Sequence, residues 1–302
     1  MTDRLNRLVS GSEPPPFAPK LPAGRSVELP GRGTTFIREV AGPPGAPAVV
    51  LLHGWTVTAD INFYTAYERL GEHFRIITID HRGHGSGIRT NDPFRLEDCA
   101  DDVAVLIDTL RLGPVLVVGY SMGGAVAQLL CNRHPTLVRG VVLCSTARLF
   151  NGRAGEAISF FGLAGLAALS RLAPEQARGW MTEQFVSRKQ KSYQAWALEE
   201  VRGNDVVKML EAGNAIGQFS SRDWIEFVTI PSAVIVTMQD RTVPARRQLR
   251  LADSLPNAAV HRVAAGHDAC IAAAQQWVPL LLTSLLDVEK RSHPGNLFPQ
   301  IS

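Results

Sequence analysis

Short, continuous apolar runs alternate with helix-patterned stretches along most of this chain, and that alternation constrains the fold more than any single residue does. Ala48–Leu52 (AVVLL), Arg75–Asp80 (RIITID), Val115–Gly119 (VLVVG), Val138–Cys144 (VRGVVLC) and Ser232–Thr237 (SAVIVT) read as strands. A run that is apolar at successive positions suits a strand buried on both faces, whereas a strand with one wet face alternates. Leu96–Leu112 carries Val103, Leu106 and Leu110 at helical spacing. Met122–His134, which stops before Pro135, also reads as a helix, as do Ala245–Leu255 and Ile271–Leu286. Arg25–Val40 reads as two strands around a turn at Gly31–Gly33, and Ala259–Val263 as the last strand. Strands alternating with helices predict a mostly parallel sheet covered on both faces.

The alternation stops at Ala147, gives way to helical patterns without a strand, and resumes after Pro231. The expected organisation is a core from residues 25–146 and 231–302 and a helical cap at 147–230. An extended lead-in at 1–24 contains Pro14, Pro15 and Pro16. A chain of 302 residues, 45% hydrophobic, can build one large core with such an insertion. The net charge of +3 is small for a nucleic-acid binder, and the basic stretches Arg188–Lys191 and Arg246–Arg250 read as solvated helix faces. No signal-peptide run is present, and the longest apolar stretch, Ala157–Leu169, is shorter than the roughly 20 residues a bilayer span requires. Cys99, Cys131, Cys144 and Cys270 lack CxxC spacing, so reduced thiols and a cytoplasmic setting are expected. Cys270, three residues from His267, falls near the site described next, although a functional thiol there is the weaker reading.

Gly119-Tyr120-Ser121-Met122-Gly123 matches G-x-S-x-G. The pattern alone is weak, since this composition would give on the order of 0.1 matches by chance. Its position is informative: it follows the strand VLVVG and opens a helix, the setting of a nucleophile elbow. A serine hydroxyl needs a base, and the base needs an acid to hold its tautomer. Asp240 closes the strand-like SAVIVTMQ, and His267 follows AVHRVAAG. Ser121, Asp240 and His267 thus each fall just past the C-terminal end of a sheet strand, the edge where open α/β sheets bind ligands. His261 lies inside a strand, Asp253 mid-helix, Asp268 beside the base, and Asp287 at the far end of a helix; all are poorer candidates. The backbone N–H groups of Met122 and of Trp55, in the loop His53-Gly54-Trp55, are candidate oxyanion donors. His81 and His84 in Asp80-His81-Arg82-Gly83-His84-Gly85 lack a third ligand nearby, so a hydrogen-bonded loop is expected rather than a metal site.

Together the HGW loop, the DHRGHG loop, GYSMGG, QDRTVP and the GH turn at His267 resemble the α/β-hydrolase superfamily, over about residues 26–290. The resemblance implies an eight-stranded sheet with a helical cap, and Ser121, Asp240 and His267 as a cofactor-free catalytic triad. Trp55 and Met122 would supply the oxyanion hole. A serine stands where epoxide hydrolases and haloalkane dehalogenases carry aspartate, which argues against both activities. HGW and SMGG are similar to motifs of carboxylesterases and cofactor-free perhydrolases.

The expected function is acyl transfer from a modestly sized apolar ester, through an acyl-enzyme, with activity rising through one ionisation near neutral pH as the base loses its proton. A perhydrolase, acyltransferase or carbon–carbon hydrolase on the same triad is the alternative. A ligand-binding protein that retains hydrolase residues is the alternative of another class. Phe160, Phe161, Trp180, Met181, Phe185, Trp196 and Trp224 are candidates for an apolar pocket or for cap core. GLAGLAALS suggests close helix packing or contact with a lipid surface.

Overall fold

The computed structural model describes residues 18–152, 154–189 and 194–293. Most of the expected lead-in and the end of the Arg188–Lys191 stretch lie outside the described residues. The strands are β1 (Gly24–Leu29), β2 (Gly33–Val40), β3 (Ala48–Leu52), β4 (Arg75–Ile79), β5 (Val115–Tyr120), β6 (Val138–Cys144), β7 (Ser232–Thr237) and β8 (Ala258–Val263). They form an eight-stranded sheet in the order β1-β2-β4-β3-β5-β6-β7-β8. β1 and β2 are antiparallel and β2 joins β4 antiparallel, while every later pairing is parallel.

The apolar runs are continuous because each strand feeds two cores. Val50, Leu52, Val115, Val117, Val234 and Val236 face one hydrophobic cluster. Their neighbours Val49, Leu51, Leu116, Val118, Ala233 and Ile235 face the other. The period-2 geometry of a strand makes this division unavoidable. Helices α1 (Ala59–Phe63), α2 (Tyr67–Gly71), α3 (Leu96–Thr109) and α4 (Met122–Arg133) follow β3 to β5. The two short helices α1 and α2 escape the sequence reading, because five residues hold too little periodicity.

Helices α5 (Ala154–Leu172), α6 (Glu175–Lys189), α7 (Ala195–Arg202) and α8 (Val206–Gln218) lie between β6 and β7. The α5–α8 contact is close, but not through the glycines of GLAGLAALS, whereas Ala167 and Ser170 of that stretch are buried. Gly162 and Gly165 face open space, whereas Gly213 and Gly217 of α8 receive Leu163 and Phe160. Phe161 is 78% exposed and Trp180 64%, so neither lines a buried pocket. Trp196 is buried and meets Tyr64 edge-on with centroids 5.2 Å apart.

The chain closes with α9 (Ala245–Ala252), α10 (Ala269–Ala272) and α11 (Ala274–Arg291). The expected single helix Ile271–Leu286 is therefore interrupted: Ala273 leaves the helical region at φ −126°, ψ 34°, and Pro279 sits inside α11. Nor is Arg246–Arg250 wholly a solvated face. Arg247 is buried, and its Nη1 donates to the Phe150 carbonyl at 2.5 Å.

The tightest place in the fold is the turn from β5 into α4. A Cβ on Gly119 would lie 2.5 Å from the Gly123 carbonyl oxygen, and one on Gly123 would overlap the Leu52 carbonyl. Gly123→Ala should lower stability by at least about 2 kcal/mol through overpacking. Gly165→Ala, in open space within α5, should raise it by about 0.5–1 kcal/mol. Urea midpoints of the two variants, moving in opposite directions, check both.

Candidate active site

Ser121 stands between β5 and α4 with φ 54° and ψ −115°, a conformation that non-glycine residues avoid. Its N–H donates to the Cys144 carbonyl at 2.9 Å, and its own carbonyl accepts the Thr146 hydroxyl at 2.8 Å. The turn is thus fastened to β6 on both sides, and the side chain stays half-buried at the sheet edge.

Ser121 Oγ lies 2.9 Å from His267 Nε2, and His267 Nδ1 lies 2.7 Å from Asp240 Oδ2. A carboxylate only accepts, so Nδ1 carries the proton and Nε2 is left to receive the serine hydroxyl. The Asp240 side chain is fully buried, while that of His267 is 26% exposed. Burying a carboxylate requires that its lone pairs be used. Oδ1 accepts the Thr242 and Val243 N–H groups, each at 2.8 Å. Oδ2 accepts the Thr237 hydroxyl at 2.8 Å and Gln248 Nε2 at 3.3 Å. The two N–H bonds are a local turn in which an aspartate caps the residues after it. Gln248, on α9, is a partner that the sequence reading missed.

The competing residues lie elsewhere. Asp287 pairs with Arg291 at 2.6 Å, Asp268 is exposed, and Asp253 sits at the end of α9 rather than mid-helix. His261 stays within β8.

Opposite Ser121 runs the His53–Trp55 loop. A Cβ on Gly54 would come 3.3 Å from that of Ser121, and the Gly54 N–H donates to Asn62 Oδ1 at 2.7 Å. Among the described residues, neither the Trp55 N–H nor the Met122 N–H donates to a protein acceptor. The Trp55 ring lies against Gly213, and its Nε1 donates to the Met209 carbonyl at 2.7 Å, tying the loop to α8. Asn62 Nδ2 donates in turn to Cys270 Sγ at 3.5 Å. Burial pushes the Cys270 thiol up to about 12, so it serves here as a buried acceptor rather than a thiolate.

Behind the loop, His53, His81 and His84 form a fully buried cluster, with His53–His81 centroids 4.5 Å and His53–His84 centroids 5.4 Å apart. His53 Nδ1 donates to the Gly54 carbonyl at 2.8 Å, which leaves Nε2 to accept the His81 N–H at 2.9 Å. This ring therefore splints the two loops while neutral. Burial, reinforced by the other histidines, holds His53 well below its usual range. Burial also lowers His81 to about 3 and His84 to about 4. Asp80, buried beside Asp60, is raised to about 7.

These shifts set the acid sensitivity of the loops. Histidines depressed in the folded state contribute stability that is intact above about pH 6.5 and lost as the pH falls toward 4. Asp80 acts in the opposite sense, its contribution being lost as the pH rises through about 7. Three histidines outweigh one carboxyl, so stability should fall from pH 6.5 to 4.5 by up to about 1.4 kcal/mol per pH unit for each net proton. Urea denaturation at pH 7, 5.5 and 4.5 measures this, and a midpoint that rose with acid would reverse the assignment.

A family model described as the alpha/beta hydrolase fold matches residues 47–274. Over 118 residues the chain is 35% identical to 2-(acetamidomethylene)succinate hydrolase of Mesorhizobium japonicum, covering 39% of this chain and 41% of that protein. Over 94 residues it is 33% identical to a bifunctional esterase/perhydrolase of Acinetobacter calcoaceticus, covering 31% of this chain and 34% of that one. The chain thus spans less than half the length of either relative. Among solved structures, an esterase from Exiguobacterium antarcticum superposes with a TM-score of 0.72 at 19% identity, covering 86% of this chain and 98% of the other. No helix among the described residues is long and apolar enough to cross a membrane.

Proposed function

The chain belongs to the α/β-hydrolase family, and we propose that within it this protein is a serine hydrolase that cleaves a carboxylic ester of a modestly sized apolar substrate. The observation that carries this reading is the unbroken chain Ser121 Oγ–His267–Asp240, built on a strained turn. In the proposed reaction His267 Nε2 takes the hydroxyl proton as Ser121 Oγ attacks the ester carbonyl carbon. The carbonyl oxygen becomes an oxyanion, met by the N–H groups of Met122 and Trp55, both otherwise unspent. The C–O bond to the alcohol then breaks, and the alcohol leaves with the proton from His267. Water gives a proton to His267 as it attacks the acyl carbonyl carbon; the bond from that carbon to Ser121 Oγ then breaks, Oγ takes the proton back from His267, and the acid leaves. Asp240 keeps Nδ1 protonated and stabilises the imidazolium throughout.

Helices α5–α8 are proposed as the cap over this site. The Trp55 ring packs against Gly213 of α8, and Leu163 lies against the same glycine, which supports an apolar acyl or alcohol group. A second reading, transfer of the acyl group to hydrogen peroxide, is favoured by the likeness to the Acinetobacter esterase/perhydrolase. It uses the same acyl-enzyme, with peroxide in place of water.

A fluorophosphonate probe should label the parent protein and not Ser121→Ala, and hydrolysis of p-nitrophenyl esters by that variant should drop at least about 10⁴-fold in kcat. Asp240→Asn, which favours the wrong tautomer, should cost about 10⁴-fold. A parent protein that neither turns over these esters nor takes the label refutes the proposal. Peracid appearing faster than acid when peroxide is added would favour the second reading.

A further inference from the structure

Trp55 meets an oxyanion only through its backbone N–H, and a backbone N–H faces wherever its rigid peptide plane is turned. Gly54, the residue before it, has no Cβ to limit that rotation. A side chain there is also excluded by space, since a Cβ would come 3.3 Å from Ser121 Cβ and 3.5 Å from the Tyr120 carbonyl oxygen. The loop nearest the serine is therefore built on the residue type least able to hold its own conformation. Both peptides flanking Gly54 are nevertheless fixed from outside. Its carbonyl accepts His53 Nδ1 at 2.8 Å, and its N–H donates to Asn62 Oδ1 at 2.7 Å. In a trans peptide C=O and N–H point in opposite directions, so the first of these bonds turns the Trp55 N–H away from His53.

Asn62 is itself held on a rigid support. It lies on α1, every residue of which is buried. Asp60 of α1 pairs with Arg38 of β2 at 2.7 Å and accepts the Tyr67 hydroxyl at 3.1 Å, which fastens the helix to the sheet. Asn62 Nδ2 donates to Cys270 Sγ at 3.5 Å, and the Thr65 hydroxyl donates to the Cys270 carbonyl at 2.8 Å. The sulfur and the Gly54 N–H together settle which way the amide faces: rotated by half a turn, it would set its NH2 against the Gly54 N–H. Cys270 lies three residues beyond His267, whose carbonyl accepts the hydroxyl of Tyr120 at 2.6 Å. One buried set of bonds thus ties the His53–Trp55 loop to the segment that carries His267.

We propose that Asn62 is a positioning residue for the oxyanion site: its amide oxygen, oriented by Cys270, holds Gly54 so that the Trp55 N–H faces the developing oxyanion. This role rests on the proposed serine-hydrolase chemistry, in which Asn62 neither touches the substrate nor moves a proton. Without the amide oxygen the buried Gly54 N–H is unpaired, and the loop turns to satisfy it. The Trp55 N–H then leaves its place. An oxyanion exists at the transition state and not in the bound ester, so the loss falls on kcat and spares KM. A residue that only stabilised the fold would lower the unfolding midpoint and leave kcat of the folded protein unchanged.

The test compares the full chain with Asn62→Leu, Asn62→Asp and Cys270→Ala, at a temperature where urea midpoints show each to be folded. Asn62→Leu should lower kcat on a p-nitrophenyl ester about 10²-fold, with KM within about twofold of the parent. The rate constant for fluorophosphonate labelling should fall with kcat, because the phosphoryl oxygen of the adduct occupies the same place as the oxyanion. The pH at which activity rises should stay where it is, since His267 and Asp240 keep their contacts. Asn62→Asp, which retains an oxygen for the Gly54 N–H, should recover kcat to within about tenfold of the parent. Cys270→Ala, which frees the amide to rotate, should lower kcat about tenfold, and it carries the same test if Asn62→Leu does not fold. A parent that takes no label refutes the serine-hydrolase reading itself. A labelled parent whose folded Asn62→Leu keeps its labelling rate and kcat within about threefold, or loses only in KM, overturns the role of Asn62 alone.

Discussion

Everything at the candidate site depends on a steric condition at one turn. Ser121 adopts φ 54° only because the chain on either side is pinned, by its N–H to Cys144 and by the Thr146 hydroxyl to its carbonyl. The pinning requires α4 to run hard against β5 and β3, with the backbones of Gly119, Gly123 and Leu52 nearly in contact. Side chains at the two glycines would push the helix outward. The helix N-terminus, with the free Met122 N–H, would then leave the position where it faces the serine hydroxyl. A strained residue persists only where its surroundings over-determine it, and here two parallel strands and a helix do so.

Asp240 and His267 inherit their positions from the same sheet. Parallel strands bring the ends of β5, β7 and β8 to one edge, so residues 146 and 27 positions apart meet within hydrogen-bond distance. Asp240 tolerates complete burial because its two oxygens are saturated by Thr237, Thr242, Val243, Gln248 and His267. The histidine cluster behind the His53–Trp55 loop works on the opposite principle: it is buried in neutral form and joins two loops through ring nitrogens. One arrangement holds charge and the other excludes it, and both immobilise the rim of the site.

The helical insertion is tied to that rim at several points. Trp55 donates to the Met209 carbonyl, the Asn204 side chain accepts the Gly85 N–H and donates to the Thr56 carbonyl, and the Asp205 N–H donates to the Gly83 carbonyl. These bonds fix the start of α8 over the HGW and DHRGHG loops. At its other side the neck of the insertion meets α9, where a cleft lined by Arg148, Arg222, Arg247 and Arg250 opens. Because α9 also carries Gln248, the helix that lines this cleft on one face holds the buried carboxylate on another.

Local pattern and chain order made a large part of this legible. Apolar runs at successive positions reveal strands buried on both faces, and the GYSMGG turn marks where a strand must yield sharply to a helix. The positions of Ser121, Asp240 and His267 after strands follow from those patterns, because parallel topology puts strand ends together wherever they lie in the sequence. The partners around them were not legible: Gln248 at Asp240, Asn62 beneath Gly54, and the meeting of Arg148, Arg222, Arg247 and Arg250 around one cleft. Each depends on how far a helix is rotated about its axis or where a loop returns, and a linear pattern leaves both free. The same freedom decided that Phe161 and Trp180 face outward while Trp196 is buried, and that Gly213 and Gly217, not Gly162 and Gly165, form the close helix contact. The sequence determined the strands, most of the long helices and the sheet edge at which Ser121, Asp240 and His267 emerge. The tertiary structure alone decided which side chains meet there, because packing, not periodicity, sets the rotation of one element against the next.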